Sequence, residues 1–150
     1  MISVCMASHN GGCYIRQQVE SILKQIDSCD ELIISDDSSA DETLSILKSF
    51  NDSRIKIFNH TPPKGLSGHI YATINFENAL KEAKGDYIFL SDQDDVWTDD
   101  KVEVMMKHLQ YKPYVVSDCY VTDSDLNVVS NTRFTRESGI TTNKYLGFLS

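Results

Sequence analysis

A chain of 150 residues that is 41% hydrophobic, 24% charged and carries a net charge of −8 has the composition of an ordinary folded domain. That length buries about two-thirds of the unfolded surface, which predicts one domain over residues 1–150, and the acidic balance excludes a general nucleic-acid binder, since those cluster Lys and Arg against phosphates. No apolar run approaches the roughly 20 residues of a membrane span, and the opening "MISVCMA" lacks the basic stretch and cleavage site of a secretory signal, so a cytoplasmic location is expected.

Residues 2–7, "ISVCMA", read as a strand stopped by the turn-formers "SHNGG". From Tyr14 the period changes, and Ile15, Val19, Ile22, Leu23 and Ile26 fall on one helical face. "ELIIS" (31–35) is the second strand. After it, Ser38 or Ser39 is placed to cap a helix carrying Leu44, Ile46, Leu47 and Phe50, with Asp41 and Glu42 in its first turn. "RIKIF" (54–58) alternates as a third strand, and "NHTPPKGLSG" (59–68) is a loop. A helix fits His69 to Lys84, with Gly85 placed to end it. "YIFLS" is the fourth strand, leading into the acidic loop "DQDDVW". A further helix takes up Val102, Met105, Met106 and Leu109, the two methionines as core. "YVVS" (114–117) reads as a fifth strand, and two short strands flank a turn at Asp123–Asn127; little is assigned after Thr132.

Strand–helix alternation predicts right-handed crossovers and an α/β fold with a doubly wound, mainly parallel sheet and helices on both faces. "ELIIS" and "YIFLS" are apolar on both faces, as in strands covered from both sides. Ligands in such sheets bind beyond the carboxyl ends of the strands. Three of those ends carry polar clusters: Ser8-His9-Asn10-Gly11, Asp36-Asp37-Ser38 and Asp92-Gln93-Asp94-Asp95. Parallel strands would bring all three to one cleft. Crowded carboxylates repel unless protonated or neutralised, and Mg²⁺ or Mn²⁺ with a phosphorylated ligand would neutralise Asp92 and Asp94. The four cysteines (Cys5, Cys13, Cys29, Cys119) show no metal-binding spacing and read as buried or half-buried free thiols, while His60, His69 and His108 read as surface or loop residues.

Taken together, these stretches resemble the nucleotide-sugar-binding half of the family-2 glycosyltransferases, which have a Rossmann-like, A-type glycosyltransferase fold. "ISVCMASHNGGCYIRQQVESILKQ" is similar to the family's opening strand, T-Y-N-G-like turn and first helix. "DELIISDDSSADET" resembles V-D-D-G-S-x-D-x-T, and "KGDYIFLSDQDDVW" resembles G-[DE]-Y-[IV]-x-x-L-D-x-D-D. The resemblance covers roughly residues 1–125, and "NFENALKEAKGDYI" with "SDQDDVW" is particularly similar to bacterial rhamnosyltransferases and related surface-polysaccharide transferases.

The resemblance implies roles. Ala7, Ser8, His9 and Asn10 would line the base and ribose pocket, Asp37 would accept from the base N–H, and Asp36 would be structural or ribose-directed. Asp94 would be the metal ligand of a D-x-D element, with Asp92 near the donor ribose or the metal and Gln93 between them; Asp95 would orient the loop and Trp97 pack beneath it. Asn75, in the helix-start segment, would approach the donor. Two departures stand out: His9 replaces an aromatic residue, and Ser38 replaces a Gly suited to positive φ, so the loop is expected to differ locally.

The implied reaction is inverting transfer of a sugar from a nucleoside-diphospho-sugar to the hydroxyl of a glycan or lipid-linked acceptor, in polysaccharide synthesis. Any membrane association would be peripheral, at the inner face, and an exposed apolar face would favour a homo-oligomer. The general base is expected beyond Ser150, in an acceptor half that this chain lacks, so a non-catalytic nucleotide-binding module is the alternative. A phospho-acceptor receiver domain fails because the first strand ends in Ser-His-Asn, not an acidic pair. A sugar-1-phosphate nucleotidyltransferase would need a Gly-rich, Arg/Lys-bearing loop there.

Overall fold

The computed structural model describes residues 1–61, 63, 65 and 68–133. The chain divides into two compact units, Met1–Glu103 and Val104–Ser150.

In the first unit, β1 (Ile2–Ser8), β2 (Glu31–Asp36), β3 (Ile55–Asn59) and β4 (Tyr87–Ser91) form a parallel sheet in the order β3-β2-β1-β4. They are joined by α1 (Ile15–Leu23), α2 (Thr43–Ser49) and α3 (Gly68–Glu82). Successive crossovers carry the chain from β1 out to β3, and α3 then returns it to the other side of β1. The strand order therefore reverses at β1, the place where an open α/β sheet offers a crevice. Cys5 and Ile33 are register partners and pack with Ala79 of α3, Phe58 and Ala83 beneath one face. Val4, Met6, Leu32 and Ile34 alternate with them and are equally inaccessible.

β2 is buried at every residue, as its apolar sequence predicts. β4 is not: Tyr87, Ile88 and Leu90 are exposed, Leu90 by 57%. "YIFLS" pairs only with β1 among the described residues, so it is an edge strand and not the doubly covered one expected.

Local chemistry corrects several boundaries. α1 stops at Leu23, although Ile26 is still buried in the turn that follows. α2 begins only at Thr43, whose N–H and hydroxyl both donate to Asp41 Oδ1 (3.0 and 2.5 Å). Asp41 thus meets the first turn, and Ser38 and Ser39 do other work. Gly85 has no positive φ and does not cap α3. A Cβ there would come within 2.5 Å of Ser3 N, so the glycine permits close approach to β1.

The sheet's lower end is fastened by Glu31, which accepts from Ser3 Oγ (2.5 Å), Lys84 N (2.8 Å) and Lys56 Nζ (2.5 Å). Burial alone would raise its pKa, but those hydrogen bonds outweigh it and hold the carboxyl below its usual value. Cys5 is buried, which pushes its thiol up to about 11, whereas Cys13, Cys29 and Cys119 are exposed rather than half-buried.

In the second unit, β5 (Val121–Thr122) and β6 (Val128–Ser130) form the expected hairpin. The expected strand at 114–117 is absent: residues 114–120 are irregular, with Tyr114 and Val116 exposed. Tyr114, Val115 and Val116 have strand propensity, but without a neighbouring ladder propensity does not make a strand. α4 (Lys101–Leu109) buries Val102 and half-buries Met105 and Met106.

Two stability predictions follow from these contacts. Gly85→Ala should lose about 1–3 kcal/mol in urea denaturation by overpacking, while Gly68→Ala, which meets nothing within 4 Å, should lose none. Glu31 has a folded pKa below its unfolded value, so its contribution is complete above about pH 5 and is lost as pH falls through the folded value. Glu31→Gln should therefore flatten the acid limb of the urea midpoint against pH; an unchanged limb would refute the assignment.

Candidate functional site

Beyond the carboxyl ends of β1, β2 and β4 lies a cavity of about 610 Å³. Ala7, Ser8 and His9 line it from β1, Asp37 from β2, and Asp92, Gln93 and Asp94 from β4. Gly68, Tyr71, Ala72, Asn75 and Phe76 of α3 form an apolar wall opposite. Eight of the ten residues expected at the site thus share one cavity. Asn10 and Asp36 are not among its lining residues.

Asp36 is fully buried and accepts from Ser8 Oγ (2.8 Å), Ser39 N (2.9 Å) and Ser39 Oγ (2.6 Å). It joins two strands and folds the following loop back, the structural half of its expected role. Asn10 takes a positive φ of 49°, a conformation Asn tolerates well. Its side-chain oxygen accepts from Ala40 N (2.9 Å), and its backbone N–H donates to Ser39 Oγ (2.8 Å). Gly11 N and Gly12 N donate to Thr43 Oγ1 (2.8 Å) and Asp41 Oδ2 (2.9 Å). The loops after β1 and β2 are therefore stapled to each other.

The acidic loop is fixed to the first loop in the same manner. Gln93 brackets His9, accepting from its N–H (2.9 Å) and donating to its carbonyl (3.0 Å). A Cβ on Gly11 would lie 2.2 Å from Gln93 Oε1, so this clamp requires glycine at position 11. His9 Nδ1 meets the carbonyl of Asp37 (2.7 Å), which can only accept, so Nδ1 carries the proton. Asn10 Nδ2 then donates to Nε2 (3.0 Å), giving a neutral, oriented ring.

Ser38, in the place of the family's glycine, adopts φ 55° itself. That left-handed conformation costs a non-glycine residue about 1–2 kcal/mol, and Ser38 Oγ donates to His60 O (3.0 Å). His60 is the residue the sequence reading missed. It is half-buried, and its Nδ1 donates to Asp37 Oδ1. A His one residue beyond a strand end was the available signal, but nothing in the sequence paired it with Asp37.

Asn75 lies in the middle of α3, not at its start. It is 3% exposed and donates through Nδ2 to Ser8 O (3.0 Å), while its Oδ1 has no partner among the described residues. An unpartnered buried acceptor in a cavity wall is costly unless a ligand or water supplies a donor.

Beneath the acidic loop Trp97 is 4% exposed and packs on Phe89 at 5.8 Å, as expected of it. The support from α1 was not foreseen. Gln18 is fully buried on the same helical face as Ile15 and Ile22, and its amide orientation follows from the surrounding partners. Nε2 donates to Asp95 O (2.7 Å) and Ser21 Oγ (3.1 Å), while Oε1 accepts from Ser91 Oγ (2.5 Å) and Trp97 Nε1 (3.3 Å). Ser21 Oγ accepts from Trp97 N (3.0 Å), and Gln25 bonds Thr98 O (2.9 Å) and Val102 N (3.0 Å). A polar residue on an apolar stripe was the sign of this role.

The described lining holds three carboxylates, Asp37, Asp92 and Asp94, and no Lys or Arg. No three His, Cys, Asp or Glu among the described residues cluster closely enough to hold a metal alone. Asp92 and Asp94 nevertheless suit Mg²⁺ or Mn²⁺, which bind one or two carboxylates and fill the remaining positions with water and phosphate oxygens. No described helix is long and apolar enough to cross a membrane.

Residues 3–148 match the family model described as glycosyl transferase family 2. The chain belongs to that family. Its curated relatives include the dTDP-rhamnosyl transferase RfbG of Shigella flexneri, 41% identical over 101 residues covering 65% of this chain and 34% of the relative. Another is the UDP-Glc:alpha-D-GlcNAc-diphosphoundecaprenol beta-1,3-glucosyltransferase WfgD of Escherichia coli, 35% identical over 106 residues covering 71% and 40%. Among solved structures, S. aureus TarS 1–349 in complex with UDP-GlcNAc superposes with a TM-score of 0.61 at 25% identity, over 73% of this chain and 31% of that one. This member of the glycosyltransferase family thus spans only about a third to two-fifths of the length of these relatives.

The Gln18 network makes a prediction. Gln18→Leu keeps the volume but strands Asp95 O and Trp97 Nε1, and should cost about 2–3 kcal/mol in chemical denaturation followed by circular dichroism. A loss below 0.5 kcal/mol would rule the network out as a support.

Proposed function

We propose that this chain is the donor-binding part of a glycosyltransferase that moves a sugar, with inversion, from a nucleoside-diphospho-sugar to the hydroxyl of a glycan or lipid-linked acceptor in bacterial-type polysaccharide synthesis. The observation that carries this reading is the single cavity at the strand-order reversal, walled by Asp37, Asn75, Asp92 and Asp94. Family membership supports it, as do the dTDP-rhamnosyl and UDP-glucosyl activities named for the relatives and the UDP-GlcNAc bound by TarS.

Asp37 takes the base N–H, Asn75 Oδ1 accepts a second donor from the nucleoside, and the neutral His9 ring offers a flat face at the cavity edge. Asp92 and Asp94 hold Mg²⁺ or Mn²⁺, with Asp94 the principal ligand; the ion supplies positive charge against the diphosphate leaving group. Without a cation a diphosphate here would face three carboxylates and no described basic side chain. Gln93 and Gln18 hold the acidic loop in register with the β1 loop.

A general base must still deprotonate the acceptor. Asp118 and Asp123 are committed elsewhere: Asp118 accepts from Arg133 N (3.1 Å) and Cys119 N (2.8 Å), and Asp123 closes the hairpin turn. Hydrogen bonds from Asn127 hold Asp123 below its ordinary pKa, which makes it a weaker base. In this reading the base comes from outside the described residues.

Calorimetry tests the metal role. Nucleoside diphosphate binding by the wild type should strengthen at least about 10-fold on adding Mn²⁺ or Mg²⁺. Asp94→Ala should abolish that dependence, and equal, metal-independent affinity in both proteins would refute it.

A further inference from the structure

We propose that His60 is a specificity-determining residue: by donating to one oxygen of Asp37 it leaves Oδ2 as that carboxylate's uncontested acceptor, which fits the imide N–H of uracil or thymine better than the paired donors of guanine. This inference rests on the donor-binding reading above and names the class of base that the cavity takes.

Asp37 is 7% exposed and lines the cavity. Its backbone is held on both sides, the N–H donating to Ser8 O (2.9 Å) and the carbonyl accepting from His9 Nδ1 (2.7 Å). His60 is held equally firmly. Its N–H donates to Asp36 O (2.7 Å), and its carbonyl accepts from Ser38 Oγ (3.0 Å). The imidazole is thereby brought to Asp37, and since a carboxylate oxygen accepts, Nδ1–H is the donor to Oδ1. No described residue donates to Oδ2. That oxygen is the one left for a ligand.

Asn75 supplies an independent sign that a donor-bearing ligand belongs in this corner. Its Nδ2 and the Asp37 N–H both donate to the Ser8 carbonyl, so the two residues stand side by side. Asn75 Oδ1 is buried and has no partner among the described residues. The corner therefore offers two acceptor oxygens, Asp37 Oδ2 and Asn75 Oδ1, and a nucleoside answers with a base N–H and a ribose hydroxyl.

The bases differ in what they bring to such a corner. Uracil and thymine present one ring N–H between two carbonyls, a single donor for a single oxygen. Guanine presents a ring N–H and an amino N–H in parallel, and satisfying both takes the two oxygens of one carboxylate. Here Oδ1 already accepts from His60, so the second guanine donor would share that oxygen with the imidazole or compete with the ribose for Asn75 Oδ1. Cytosine, of the same size as uracil, presents a bare ring nitrogen whose lone pair would face Oδ2.

Binding of UDP, dTDP, CDP and GDP to the full chain, each with Mn²⁺, tests this by calorimetry. UDP or dTDP should bind at least about 10-fold more tightly than GDP and CDP, the cost of one compromised hydrogen bond, and comparing UDP with dTDP shows whether a 5-methyl group is accepted. GDP or CDP binding as tightly as both would overturn the inference and leave the proposed function standing. Binding of none would overturn the proposed function and this inference with it. His60→Ala frees Oδ1 and should narrow the preference for UDP over GDP by about 10-fold, and His60→Asn, which keeps an N–H near the Nδ1 position, should restore it. An unchanged ratio in folded His60→Ala would overturn the role of His60; should that variant not fold, the wild-type panel alone decides.

Discussion

The carboxylate of Asp36 is the constraint from which the rest of the site follows. A charge with no solvent exposure is costly unless hydrogen bonds surround it, and Asp36 satisfies that demand with the Ser8 hydroxyl and two groups of Ser39. Meeting it joins the end of β1 to the end of β2 and bends the next residues back, so that Ser38 enters the left-handed region. That bend presents Asp37 to the cavity. The neighbouring carboxylate thus owes its position to a residue that lines none of it.

The same logic repeats around the cleft. Asn10, Gly11 and Gly12 are stapled to the β2 loop, and Gln93 ties the β4 loop to the backbone of His9. Gln18 supports that last loop from below with every polar atom engaged. Networks of this kind are worth having only when complete, because one missing partner leaves a buried group unsatisfied. Their completeness keeps repelling carboxylates near one another at the mouth of a cavity.

The fold was legible because its signals are periodic. Strand–helix alternation and the continuous apolar run of β2 suffice to specify a parallel, covered sheet. The lapses have physical causes. "YIFLS" reads as buried because hydrophobicity does not record whether a strand has neighbours on one side or two. "YVVS" has strand propensity but no ladder to join. Gly85 reads as a cap because a glycine after a helix usually is one, whereas its function is contact with Ser3, far away in sequence. The candidate site was legible to the extent that motifs name residue types at strand ends. Partners brought together only by folding, Gln18 with Trp97 and His60 with Asp37, leave no such mark.

The cavity wall formed by α3 has a different dependence. The loops after β1, β2 and β4 hold one another's backbones, so a change in any of them disturbs the other two. Tyr71, Ala72 and Phe76 face the same space from a helix whose backbone bonds are its own. The interlocked loops are thus the part of the cleft least tolerant of substitution, whereas Ala72 and Phe76 border the same space and could be exchanged without removing the bonds that hold Asp37 and Gln93 in place.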